Sequence, residues 1–210
     1  MYKIKINDKQ YQVPTSFADI TMQDYVRCFR GLAETDKLDG ADLFYAVREN
    51  ESKIVSRLLG EDDDFCMDLP VIIYNDLAES CQFIYRLRDL PHMNEIVVDG
   101  VKYEIPKPED FSLRQWIDMD VTMQDEKDDN RFLELLCILL MQRGEDGKFI
   151  PYSGDESKEL LEKVKKMKAS EGLSIVYHFF LKGEISKKIT KVSSKMGEVI
   201  HRFRQNIRNL

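Results

Sequence analysis

The side chains best suited to ligating a metal or attacking an electrophile are three histidines, His92, His178 and His201, and four cysteines, Cys28, Cys66, Cys81 and Cys137. A metal site needs such ligands at short, recurrent spacings, because one helix turn or tight loop must bring two of them to the same ion. No HxxxH or CxxC pair occurs, and the histidines fall in three separate segments, so no metal is expected. Each cysteine stands near apolar or aromatic residues such as Phe29, Phe65, Phe83 and Leu136, which points to buried free thiols in a reducing compartment rather than to disulfides. Phosphate loops of the GxxxxGKS/T or GxGxxG type are missing. Ser153-Gly154 sits in a polar stretch without the strand-turn-helix frame of a nucleophile elbow. Neither a catalytic constellation nor a cofactor is therefore expected.

Charge is the next source of chemistry. Two acidic clusters, Glu61-Asp62-Asp63-Asp64 and Asp125-Glu126-Lys127-Asp128-Asp129, lack the Gly and terminal Glu of an EF-hand loop and read as solvated helix exits rather than cation sites. The formal charge of −7 is uneven: residues 183–210 hold seven Lys/Arg against two Glu, a net of +5, leaving −12 on residues 1–182. Such an acidic body disfavours nucleic-acid binding outside the terminal segment.

In that segment apolar residues recur at Ile185, Ile189, Val192, Met196, Val199, Phe203, Ile207 and Leu210. Steps of four and three predict a helix of about 24 residues with a narrow apolar seam. The candidate partner-binding residues are Ile189, Val192, Met196, Val199, Phe203 and Ile207 on the seam, with Lys188, Lys191, Lys195, Arg202, Arg204 and Arg208 around it. Three roles are open: folding back on the chain's own core, docking on another subunit, or neutralising nucleic-acid phosphates. Phe203 alone supplies no ladder of aromatics for stacking a single strand.

The elements that must position these residues begin with a hairpin. Residues 2–6 and 10–13 alternate apolar and polar around a reversal at Asn7-Asp8, and the cue returns at 96–98, Asp99-Gly100 and 101–105, since Asp-Gly readily supplies a positive φ. Pro14 and Pro106 close both second strands. Aligning 4–14 (IKINDKQYQVP) with 96–106 (IVVDGVKYEIP) makes Ile4/Ile96, Tyr11/Tyr103 and Pro14/Pro106 identical. After one deleted residue, Thr21 and Ser112 stand as helix N-caps, answered by Asp24 and Gln115 at the third helical position. The fold expected is α+β and mainly helical. It has a duplicated hairpin-plus-helices unit in two small lobes, 1–92 and 93–183, followed by the terminal helix at 184–210.

The remaining helices are expected at 41–59, ending on Gly60; at 71–88, with Ile73, Leu77, Cys81, Ile84 and Tyr85 on one stripe; and at 130–143, apolar nearly all round and ended by Gly144. Two more come after these, a solvated one at about 155–168 and an apolar one at 173–181. No apolar run reaches the roughly eighteen residues of a membrane span. The start, MYKIKINDKQYQV, has no apolar h-region, so a soluble, intracellular chain is expected at synthesis.

The order of "DGVKYEIP", "FSLRQWIDMD", "FLELLCILLMQRGEDGKFIPYSGDESKELLEKV" and "SIVYHFFLKGE" resembles small virion and tail-assembly proteins of tailed bacteriophages, of the crAss-like or Bacteroides-phage kind. The resemblance covers residues 96–184 best. It implies a non-enzymatic protein, found in the host cytoplasm and then the virion, whose partners are other phage structural proteins. Portal- or tail-associated structural, cargo and tail-assembly-chaperone roles all fall within it. A small intracellular enzyme or nucleic-acid-binding regulator is the alternative from another class.

Overall fold

A computed structural model of the chain describes residues 1–124, 130–177 and 179. Among them lie two antiparallel hairpins and seven α-helices, an α+β fold that is mostly helical. The first hairpin pairs β1 (Tyr2–Ile6) with β2 (Lys9–Val13). Its two-residue turn holds Asn7 and Asp8 at φ 47° and 66°, the left-handed region that short polar side chains tolerate best after glycine. The second pairs β3 (Glu95–Val98) with β4 (Val101–Glu104), with Asp99 and Gly100 at φ 50° and 78°.

A single 3-10 turn after each hairpin leads to a capped helix, α1 (Met22–Phe29) and α4 (Leu113–Gln124) respectively. At α1 the Asp24 N–H donates to Thr21 Oγ1 and the Thr21 N–H donates back to the Asp24 carboxylate, both at 3.1 Å. At α4 the Gln115 N–H donates to Ser112 Oγ at 3.2 Å and the Ser112 N–H to Gln115 Oε1 at 3.0 Å. Each pair satisfies two backbone donors that a helix start leaves open.

The long helix α2 (Gly40–Leu58) comes after α1, and α3 (Val71–Cys81) after a 3-10 turn at Phe65–Asp68. Residues 71–88 do not form the one helix expected. After Cys81 the chain tightens into 3-10 turns at Gln82–Tyr85 and Leu87–Asp89. Arg86, at φ −102° and ψ 45°, separates the two turns, and Ile84, Leu87 and Leu90 are all buried in the main core.

The helix expected at 130–143 is also shorter, α5 (Arg131–Leu139). Leu140 turns extended and Met141 pairs with Glu104: the Glu104 N–H donates to the Met141 carbonyl at 2.8 Å and the Met141 N–H to the Glu104 carbonyl at 2.9 Å. Gly144 therefore does not end this helix. Gly60 leaves α2 at φ 76°, whereas Gly147, at φ 75°, reverses a small extended loop in which Arg143 faces Phe149. The last two helices are α6 (Gly154–Lys166) and α7 (Ala169–Tyr177), the latter starting four residues before the expected 173.

Two apolar clusters hold these elements. The larger takes Met22 and Cys28 of α1, Ile54 of α2, Ile96, Val98 and Tyr103 of the second hairpin, and the inner faces of α4 to α7. It therefore draws on residues from both sides of position 92. Gly172 permits a close approach there, since a Cβ at this position would lie 2.5 Å from Met22 Sδ. The chain before α1 also bonds to the chain before α7, with the Met22 N–H donating to the Met167 carbonyl and the Ala169 N–H to the Ile20 carbonyl, each at 2.9 Å. The smaller cluster joins Ile6, Tyr11 and Val13 of the first hairpin to Val55, Cys66, Leu77 and Cys81.

Candidate functional site

The most highly organised polar group lies where α1 and α2 end. Arg57, near the end of α2, donates from Nε and Nη2 to the two Asp63 oxygens at 2.6 and 2.7 Å, and from Nη1 to the carbonyls of Arg27, Cys28 and Arg30 at 3.1, 3.2 and 2.6 Å. Arg27 Nη2 returns a bond to the Arg57 carbonyl at 2.8 Å. Each helix thus supplies a guanidinium to the open carbonyls at the other's C-terminus, where positive charge is favoured. The Arg57 fork holds the Asp63 carboxyl below its ordinary range.

A shallow cleft of about 390 Å³ opens here, walled by Arg27, Arg30, Arg57 and the Gly60–Asp63 turn. Glu61 pairs with Lys9 of the first hairpin. The acidic turn 61–64, expected to be solvated, instead spends two carboxylates on ion pairs that tie the end of α2 to its neighbours. Arg57 bonds to Asp63 and three carbonyls and so clasps the ends of α1 and α2 to the 60–63 turn.

A second concavity of about 300 Å³ runs between β4, the 140–150 loop and α6. Tyr103, Leu140 and Leu160 line it, with Glu156, Glu159 and Lys163 also in the wall. Tyr152 faces the same space, and burial pushes its hydroxyl up to about 12, so it stays protonated at neutral pH. Ser153 forms the N-cap of α6.

All four cysteines are buried and free, as their neighbours suggest. Burial pushes the thiols of Cys28, Cys81 and Cys137 up to about 12 and that of Cys66 upwards as well, which leaves little thiolate for nucleophilic attack near neutral pH. Among the described residues no three His, Cys, Asp or Glu side chains converge to hold a metal ion. No described helix is long and apolar enough to cross a membrane.

What the surface does carry is apolar side chains. Leu113, Ile117 and Val121 form an i, i+4, i+8 row along the outer face of α4 and are 76%, 52% and 62% exposed. Behind them Gln115, Met119 and Met123 face the core, and Gln115 Nε2 donates to the Ile138 carbonyl at 3.3 Å. α4 is thus apolar on two sides and covered on one. Phe44, Tyr45 and Val47 on α2, Met67 before α3, and Val71 and Ile72 at the start of α3 are exposed too.

Of the residues picked from sequence as partner-binding, Ile189, Val192, Met196, Val199, Phe203 and Ile207, with Lys188, Lys191, Lys195, Arg202, Arg204 and Arg208, all lie outside the described residues. So do His178, His201 and the acidic run 125–129. Sequence reasoning missed the Arg57 clasp, although an arginine one turn before a Gly-Glu-Asp-Asp exit is a usable cue. It also missed the outer row of α4, visible as apolar residues at steps of four. Comparison with protein-family models, with curated proteins and with solved structures finds no match to this chain.

Proposed function

We propose that this chain acts by binding other proteins, as a portal- or tail-associated structural or cargo component of a tailed-phage virion, made in the host cytoplasm and carried into the particle. The observation that carries the protein-binding part is the exposure of large apolar side chains on α2, α3 and α4, with Leu113, Ile117 and Val121 aligned in one row on α4. The phage part rests on the resemblance over residues 96–184. The seam at Ile189 to Ile207 and its cations would add a further contact surface.

On the same reading the hairpin, proline and capped helix form a unit used twice, in lobes 1–92 and 93–183, with 184–210 as an added terminal helix. Its support is local: turns of the same hand, a proline closing each second strand, and reciprocal caps at Thr21/Asp24 and Ser112/Gln115.

Mass spectrometry of purified particles of a phage encoding this chain tests the proposal. The expected result is the chain at a fixed copy number per particle. Absence from particles, with co-purification on a tail protein, would replace it by an assembly chaperone. A salt-dependent DNA shift lost on deleting residues 185–210 would replace it by a nucleic-acid-binding regulator.

A further inference from the structure

The outer row of α4 is left open to solvent by the fold, with Leu113, Ile117 and Val121 all exposed. Three large aliphatic side chains in one row over two helical turns span about 12 Å, and water gives them nothing in return. We infer that this row is a self-association face, on which α4 of a second copy packs antiparallel about a two-fold axis at Ile117.

Two observations select a second copy. The first is the row itself, which runs in steps of four, one of the ridges through which helices pack. It is short and centred on Ile117. A two-fold axis there sets Ile117 against Ile117 of the second copy and Leu113 against its Val121, so each row covers the other with no large apolar residue left over.

The second is charge. Residues 109–124 hold Glu109, Asp110, Asp118 and Asp120 against a single cation, Arg114. Arg114 and Asp118 stand one turn apart on the same flank of the row, where a Cβ at Gly154 would lie 3.9 Å from both Arg114 Nη2 and Asp118 Oδ2. Arg114 is exposed and takes part in no hydrogen bond or ion pair among the described residues. An antiparallel two-fold sets this flank against the same flank of the second copy. Each Arg114 then lies about 3 Å along the axis from Asp118 of the other chain, which gives two ion pairs across the interface. A parallel pair sets unlike flanks together and forms neither. Four carboxylates to one arginine also turn the face away from nucleic acid and anionic lipid.

The pairing rests on the protein-binding reading of this row but not on the virion assignment. A chain absent from particles could still pair, and a chain that stays monomeric could still reach other proteins through α2 and α3.

The test is sedimentation equilibrium of the full chain. One helix pair buries less than a standard interface of about 1,600 Å², so the concentration series runs from about 1 μM to about 1 mM, the span of weak complexes. The mass should rise with concentration to twice the 24.6 kDa of the chain. Ile117→Glu, with the melting temperature of the dilute chain unchanged, should raise the dissociation constant about tenfold or more, as should Arg114→Asp and Asp118→Arg taken singly. An equimolar mixture of the last two should return to within about threefold of the wild-type constant, because each hybrid dimer holds two Asp–Arg pairs and each homodimer only like charges. A wild type that stays at one chain mass, an unaltered constant in Ile117→Glu, or a mixture no tighter than its parts overturns the inference.

Discussion

The two hairpins obey the same local rules and meet different surroundings. The second is drawn into the main core, where Ile96, Val98 and Tyr103 pack among α4 to α7 and β4 gains a further partner at Met141. The first rests on the smaller cluster with α2 and α3, held at its rim by the Lys9–Glu61 pair. The cause lies in the helix that succeeds each capped one. α5 buries six of its nine residues and pulls its hairpin inward, whereas α2 buries only five of nineteen, two of them serines. Turn, proline and cap thus specify a unit, and apolar content downstream decides how deeply it is buried. The first region is left with Phe44, Tyr45, Val71 and Ile72 on its surface.

The sharpest way to break this comparison is to empty one core at a time. Leu136→Ala and Leu77→Ala each remove a fully buried side chain, from the main and the small cluster respectively. Each should cost about 2–5 kcal/mol in denaturant unfolding. Thiol labelling separates them: Leu77→Ala should expose Cys66 and Cys81 at lower denaturant than Cys28 and Cys137, and Leu136→Ala should expose all four together. Joint exposure in both variants would mean that the two clusters are a single cooperative unit.

Next in size is the contact of α7 with α1 across the halves. Gly172→Ala sets a methyl within 2.8 Å of Met22 Cγ and 3.0 Å of Leu136 Cδ2, and should destabilise by about 1–3 kcal/mol. Arg57→Met leaves three helix-end carbonyls and Asp63 without their donor, which should cost about 1–3 kcal/mol in the same assay.

Smaller and matched effects should come from the caps. Thr21→Ala and Ser112→Ala should each cost about 0.5–2 kcal/mol by thermal melting. A large inequality between them would break the equivalence of the two units. Last is pH. Burial opposes ionisation of Asp19, but the Thr15 N–H at 2.9 Å, the Thr15 hydroxyl and the Met1 ammonium outweigh it and hold the carboxyl at about 2. The folded value lies below the unfolded one, so the stability Asp19 adds is present above roughly pH 4 and is lost as pH falls towards 2. Asp19→Asn should flatten that part of the stability profile.

Most of the local structure was legible in the sequence because its causes are local. Asn7-Asp8 and Asp99-Gly100 can adopt left-handed backbone, and a Thr or Ser with an Asp or Gln three residues on can close a capping box. Non-local contacts hid the rest. The end of α5 is set by Glu104, far away in sequence, and the tightening after Cys81 by a core that Ile84, Leu87 and Leu90 must all reach. The burial of α4 on one side only was unreadable for the same reason: its Leu113 row and its Met119 row look alike until neighbours are placed. The Arg57 clasp has a local cue in the arginine before Gly60-Glu61-Asp62-Asp63, but its bonds to the Arg27, Cys28 and Arg30 carbonyls span about 30 residues and no spacing rule reaches them.

The central proposal is that the chain binds other virion proteins through the exposed apolar side chains of α2, α3 and α4. Cross-linking mass spectrometry on intact purified particles tests it most directly. The expected result is links from residues 38–72, which carry Phe44, Tyr45, Val71 and Ile72, to other virion proteins. Particles that lack the chain, or links confined to the chain itself, would contradict it.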